Sequence, residues 1–283
     1  NRRRMKVERE PIIIMNFSGA YEYEPFANNP DFIHLNCAHL NGTDCYCSQE
    51  ASKEIKNIIA PYSAEGIHFI DNGDYHYITK FWMEKLNQSF SLVLFDHHTD
   101  MQPSRIPGLL SCGDWVKDAI DEDPRLRQVI IIGTPQGTEE KIPNIYRRKV
   151  YLFSREKIRQ MLSAQEQLTM KEPIYISIDK DVLNTAYAET NWDQGTLTLQ
   201  ELQQSLLSIM TRNHVIGIDI CGEYKIVQSL FLNQKSACID NHANWSILQT
   251  IVHAAKLKKH NQITHCSIPN WWNNRTFNLH GIY

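Results

Sequence analysis

Seven short stretches of the chain are continuously apolar: PIIIMNF (11–17), GIHFID (66–71), FSLVLFD (90–96), QVIIIG (128–133), VYLF (150–153), PIYISID (173–179) and HVIGIDI (214–220). A strand with one wet face alternates polar and apolar residues. An unbroken β-prone run instead predicts a strand covered on both faces, as in parallel sheets. Between the runs lie segments of helical period. In LTLQELQQSLLSIM (197–210), Leu202, Leu206 and Ile209 share a face, and Thr198 with Glu201 has the spacing of a capping box. In NWSILQTIVHAAKLKK (244–259), Trp245, Leu248, Val252 and Ala255 stack along one side. Strands alternating with helices predict an α/β fold with a mainly parallel central sheet. No repeat, low-complexity tract or Pro/Gly/Ser-rich linker divides the sequence, so residues 1–283 are expected to form one domain.

Composition then narrows the function. With 42% hydrophobic residues in 283, a substantial core is available. A formal charge of −3 gives no footprint for nucleic acid or anionic lipid, and the triplet Arg2, Arg3, Arg4 reads as a solvated terminus. The apolar runs fall short of the roughly 18 residues that span a bilayer. No signal-peptide apolar region opens the chain, so a cytoplasmic location is expected. Seven cysteines, odd in number and scattered, suit a reducing compartment better than a disulfide framework. Cys37, His39, Cys45 and Cys47 lie close in sequence, but their spacing is not that of a zinc knuckle, and free thiols in a loop are the expectation.

The informative polar residues sit where strands end. GIHFID runs into NGDYH, FSLVLFD into HHTD, PIYISID into KDVL, and HVIGIDI into CGE. Open parallel sheets bind ligands beyond the carboxyl ends of their strands. Asp74, His76, Asp96, His98, Asp100, Asp179, Asp181, Asp219 and Glu223 are therefore expected at one sheet edge. So many carboxylates together repel one another unless cations neutralise them. The DxHxD spacing at 96, 98 and 100 and the DxD at 179 and 181 offer mixed carboxylate and imidazole donors, a set suited to manganese or zinc. A bridging carboxylate favours two ions about 3.5–4 Å apart, able to activate a water between them. His76 is either a ligand or the start of a packed helix, YHYITKFWMEKL. His97, on the opposite side of an extended strand end, is expected to support its neighbours rather than ligate. No GxGxxG, phosphate loop or GxSxG elbow is present, and Cys112 in SCGDW reads as a small buried thiol rather than a nucleophile.

At these residues the sequence resembles the ureohydrolase family: arginase, agmatinase and formimidoylglutamase. The family's GGDH, DxHxD and SxDxDxxDP segments correspond to NGDYH (72–76), DHHTD (96–100) and SIDKDVLN (177–184), in the same order, within a resemblance spanning residues 60–260. The resemblance implies a three-layer α/β/α fold and a dinuclear manganese centre. One ion would take His76, Asp96, Asp100 and Asp179, the other Asp96, His98, Asp179 and Asp181. It also implies hydrolysis of a guanidino or amidino (formimino) C–N bond in a small molecule by a metal-activated hydroxide that Asp100 orients. Homo-oligomers are common in the family.

Departures accompany the match. Tyr75 occupies the histidine position of GGDH, so the ligand falls one residue late. The shuttle histidine expected after DxHxD is replaced by SCGDW, with Asp114 as a substitute. The glutamate expected after DI is displaced to Glu223, which either clamps the cationic end of the substrate or simply starts a helix. Asn191, Trp192, Asp193 and Gln194 stand where relatives read the far end of the substrate; alternatively Trp192 packs a long loop. Two further readings stay open: a deacetylase-like amide hydrolase with one zinc, and a degenerate homologue that binds metal without hydrolysis.

Overall fold

The computed structural model describes residues 11–166 and 168–261; the arginine triplet 2–4 and Cys266 lie outside the described residues. The chain begins with strand β1 (Ile12–Asn16) and, after two single-turn 3-10 segments, β2 (Phe32–Asn36). A two-residue strand β3 (Tyr46–Cys47) leads to helix α1 (Gln49–Ile59), whose start is set by the Ser48 hydroxyl accepting the Ala51 amide at 3.1 Å. Next come β4 (Ile67–Phe69), α2 (Ile78–Glu84), β5 (Phe90–Phe95), the short β6 (Leu110–Ser111), α3 (Trp115–Glu122), β7 (Leu126–Ile132) and β8 (Val150–Phe153). The remainder is α4 (Arg155–Ser163), β9 (Ile174–Asp179), α5 (Leu199–Arg212), β10 (Val215–Cys221) and α6 (Leu230–Asn261).

Eight strands form one sheet in the order β2-β1-β4-β10-β9-β5-β7-β8, all parallel, while β3 and β6 pair antiparallel beside it. The apolar runs explain the layering. Alternate residues of each strand face opposite ways, so Ile13, Met15, Leu92, Leu94, Val129 and Ile131 pack against α1, α2 and α3. Ile12, Ile14, Val93, Phe95, Ile130 and Ile132 pack against α4, α5 and α6. The result is a three-layer α/β/α fold, as the resemblance implied. β2, at one edge of the sheet, escaped the sequence pattern because the exposed His34 and Asn36 interrupt its apolar residues. No helix among the described residues is long and apolar enough to cross a membrane.

The expected capping box closes at the start of α5. The Glu201 amide donates to Thr198 Oγ1 at 3.2 Å, and Glu201 Oε2 accepts the Thr198 amide at 2.8 Å. Arg155 and Arg159 also hold this carboxylate. Partial burial opposes its ionisation, but the Thr198 amide and the two guanidinium groups outweigh burial and hold its pKa down to about 2. A carboxyl whose folded pKa is depressed stabilises the fold above its unfolded pKa, and that contribution disappears as pH falls through the folded value. Thr198→Ala is expected to cost about 1 kcal/mol in urea unfolding at neutral pH. The deficit of Glu201→Gln should shrink between the ordinary carboxyl range and about pH 2. A deficit independent of pH would contradict this assignment.

Candidate metal centre

Sheet order places β4, β10, β9 and β5 side by side in the middle of the sheet. Register decides which residues meet at their carboxyl ends. Phe95 pairs with Ile178, which brings Asp96 level with Asp179, and Cys221 pairs directly with Asp179. Beyond β4 the backbone makes a 3-10 turn, Gly73–Tyr75, started by the Asn72 side chain accepting the Asp74 amide at 3.0 Å. His76 ends that turn and immediately precedes α2, so it is at once a helix-start residue and part of the cluster. Its Nδ1 lies 3.1 Å from Asp100 Oδ2, 3.3 Å from Asp96 Oδ2 and 3.4 Å from Asp179 Oδ2.

A second group forms on the other side of Asp96. His98 Nδ1 lies 2.7 Å from Asp181 Oδ2 and 3.6 Å from Asp96 Oδ1. Donor atoms of His76, Asp96 and Asp100 all lie within 4.8 Å of one another, and so do those of Asp96, His98 and Asp181; His76, Asp179 and Cys221 make a third such group. Asp96 is common to the first two. Its Oδ2 is buried, lying 3.3 Å from His76 Nδ1 without a well-formed hydrogen bond. Burial pushes the Asp179 carboxyl up to about 7, with the Asp181 charge adding to it. Burial and the Asp96 charge push Asp181 up to about 6. Burial disfavours imidazolium at both histidines, but Cys221, Asp100 and Asp96 outweigh it at His76, and Asp181 with Asp96 raises His98 to about 11. Asp179, Asp181, His76 and His98 thus all favour additional positive charge.

The sequence profile of the arginase family matches residues 15–223. The chain belongs to the arginase family. An uncharacterized protein of Thermotoga maritima is 30% identical over 213 residues, covering 75% of this chain and 79% of that protein. Formimidoylglutamase from Bacillus subtilis superposes with a TM-score of 0.61 at 16% identity, over 87% of each chain. A T. brucei arginase-like protein, a triple mutant bound with Mn2+, superposes at 0.58 and 16% identity, over 86% of this chain and 92% of that one.

Several residues of this arginase-family chain lie elsewhere than the sequence suggested. Glu223 does not face the cluster: it is fully buried, ion-paired to Lys180, and accepts Asn244 Nδ2 at 2.9 Å. The position directly after the DIC stretch is Gly222, with φ +87°, where a Cβ would lie 2.4 Å from Asp179 Oδ1. A side chain there would collide with the cluster. Asp114 is buried at the start of α3, its Oδ1 accepting the Ser111 amide at 2.7 Å, and it is not on the cavity wall. The short Asp side chain has satisfied its own loop instead of reaching outward. Asp219 turns into the sheet interior, accepting Tyr175 Oη and meeting His68 Nδ1, both at 2.7 Å. It sits two residues before the strand end, where its side chain points below the rim.

In the 191–194 loop, Asn191 Oδ1 accepts the Gly73 amide at 3.2 Å and Gln194 bonds the carbonyls of Leu183 and Ala188, so both brace the loop. Asp193 is exposed and off the cavity wall. Trp192 lines the cavity, its Nε1 donating to Asp74 Oδ1 at 3.0 Å. His97 gives its amide to Asp181 at 3.0 Å, and its ring joins none of the donor groups among the described residues. Cys37 and Cys47 are core residues, and no zinc cluster forms with His39 among the described residues. Cys45 instead meets Asp74 and Cys112. Burial, then Asp74, pushes the Cys45 thiol up to about 12, and burial with the Asp100 charge raises Cys112. Both remain thiols, unsuited to nucleophilic attack.

Two supports had no role assigned from the sequence. Trp115 Nε1 donates to Asp100 Oδ2 at 2.7 Å, and Ser177 Oγ lies 2.9 Å from His76 Nε2. The serine contact fixes the ring so that Nδ1 faces the acids. Ser177→Ala is therefore expected to weaken manganese binding about 10- to 100-fold, measured by competition with a chelating dye. Unchanged affinity would remove the serine from this role.

Proposed function

We propose that the chain hydrolyses a C–N bond of a small guanidino or amidino (formimino) compound at a pair of divalent cations, with manganese the expected metal. The observation that carries this reading is Asp96, shared between the group of His76 and Asp100 and the group of His98 and Asp181. The donors fit: carboxylate oxygens with two imidazoles suit manganese, and Asp96 Oδ2, buried without a well-formed hydrogen bond, offers a lone pair to a cation. His76, Asp96, Asp100 and Asp179 would hold one ion; Asp96, His98, Asp179 and Asp181 would hold the other. The T. brucei relative bound with Mn2+ supports that choice of metal.

When bound, such ions supply Lewis acidity that lowers the pKa of water toward about 7 and so provides a nucleophile at neutral pH. The chain's own residues supply position. The His98 amide donates to Asp96 Oδ1 at 2.6 Å and holds the shared carboxylate in place. Trp115 pins Asp100, the acid assigned to orienting the nucleophile. Trp192 and Pro103 wall a cavity of about 270 Å³ above the cluster, near the lower end of pockets that bind small ligands.

A second reading, metal binding without hydrolysis, is favoured by one observation: among the described residues, neither Asp114 nor Glu223, the two assigned as proton carrier and cation clamp, lines the cavity. The single-zinc amide hydrolase is disfavoured by the paired donor groups. Urea, ammonia and formamide release should be assayed with manganese-loaded protein across guanidino and formimino compounds. Release from any of them supports the hydrolase. Silence from a protein that retains two ions supports the second reading, and one zinc per chain supports the third.

A further inference from the structure

One wall of the cavity is the short ladder of β3 and β6, which presents Cys45, Tyr46, Ser111 and Cys112. Tyr46 pairs with Ser111, so the next residues out, Cys45 and Cys112, stand opposite each other, and the Cys112 amide donates to the Cys45 carbonyl at 2.9 Å. Opposite positions of an antiparallel pair bring their side chains together on one face. Asp74, from the turn after β4, completes the group. Cys45 Sγ lies 3.1 Å from Asp74 Oδ1, and donor atoms of all three residues fall within 4.8 Å of one another. Asp74 and Cys112 are buried, while Cys45 is half-buried beside the cavity. The carboxylate is held in place by Trp192 Nε1, which donates to it at 3.0 Å, and by its own amide, which donates to Asn72 Oδ1. Cys45 has φ +57°, a left-handed backbone that a cysteine adopts only where its surroundings fix it. No member of this trio belongs to the donor groups around Asp96 and Asp179.

We propose that Cys45, Asp74 and Cys112 form a separate site for one Zn2+, with the fourth position of the ion open to the cavity. The donor chemistry sets it apart from the acidic floor. Two sulfur ligands and one carboxylate favour zinc, whereas carboxylates with imidazoles favour manganese. The spacing suits the ion as well: Zn–S bonds of about 2.3 Å and Zn–O bonds of about 2.0–2.2 Å, arranged tetrahedrally, put donors roughly 3.5 Å apart. The sulfur–oxygen separation of 3.1 Å needs only a small opening to reach that value. Binding forms two Zn–S bonds and one Zn–O bond, and the two thiol protons leave to solvent. The cavity supplies the way in. The cysteine-rich stretch 37–47 thus contributes one ligand, Cys45, and its partners come from two other parts of the chain. This site does not rest on the hydrolase reading.

The test titrates Co2+, a coloured stand-in for Zn2+, into the manganese-loaded full chain under a phosphine reductant. Wild type is expected to take up one further ion per chain with an intense thiolate-to-cobalt charge-transfer band, and Zn2+ should abolish that band. Cys45→Ser and Cys112→Ser should each remove the band and weaken zinc by more than the about 10- to 100-fold that loss of a supporting partner costs, measured by competition with a chelating dye. Asp74→Asn, which keeps the shape of the side chain, should keep the band and weaken zinc at least about tenfold, and it carries the test if a serine variant fails to fold. Cys221→Ala removes the thiol grouped with His76 and Asp179 and should keep the band. Zinc should also raise the thermal midpoint of wild type and not that of the serine variants. No band, a band that survives Cys45→Ser or Cys112→Ser, a band lost in Cys221→Ala, or unchanged zinc affinity in Asp74→Asn would overturn the proposal. Failure of the manganese pair would leave it standing, because the band reports sulfur ligands alone. A manganese pair without the band would leave the hydrolase reading standing and sink this site.

Discussion

Asp96→Asn is expected to remove turnover, lowering kcat/KM about a thousandfold or more. Divalent ions contribute several kcal/mol of transition-state stabilisation, and each 1.36 kcal/mol is about tenfold in rate. The substitution is nearly isosteric. Asparagine keeps an oxygen to accept the His98 amide, so the strand end should hold its shape. What it loses is the charge shared by both donor groups, leaving each ion with weaker neutralisation. Metal content should fall with activity, while metal-free protein should unfold at or above the wild-type temperature, because one of four buried carboxylates in the cluster has been made neutral. A variant that keeps its metal and turns over within tenfold of wild type would show that Asp96 joins nothing.

Lys180→Met is expected to cost about 3–5 kcal/mol of stability, the usual penalty for removing one partner of a buried ion pair. Lys180 is fully buried between two proposed ligands in sequence, and its Nζ meets Glu223 and, at 3.8 Å, Asp240. Asn244 Nδ2 links Glu223 to Glu24, at 2.9 and 2.8 Å, so one cation faces three acids. Burial already pushes Asp240 up to about 8 and raises Glu24. Without the lysine these acids would take up protons, which bounds the loss. The urea midpoint should drop with an unchanged denaturant slope, and Lys180→Arg should recover part of it. A loss under about 1 kcal/mol would mean that the ammonium is not what neutralises this layer.

The pattern of residues along the chain carried the strands of the sheet interior, because β5, β7, β9 and β10 are wet on neither face and write unbroken apolar runs. It did not carry β2, where the exposed His34 and Asn36 interrupt the apolar residues. Asp96, His98, Asp100, Asp179 and Asp181 were legible for a related reason: charged residues at the end of a buried strand have nowhere to go but the sheet rim. Orientation after the rim was not legible. Whether Glu223 faces the cluster depends on Lys180, 43 residues away in sequence, and on Gly222 needing a left-handed backbone. Ser177 opens the SIDKDVLN match, but its contact with His76 depends on the turn after β4 reaching over β10 to β9.

The central claim is that acids and imidazoles from three strand ends hold two cations that share a carboxylate. Electron paramagnetic resonance of the chain titrated with Mn2+ tests it most directly. Binding should saturate at two ions per chain with the multiline spectrum of an exchange-coupled pair. Saturation at one ion, or two ions giving only the six-line spectrum of isolated manganese, would contradict it.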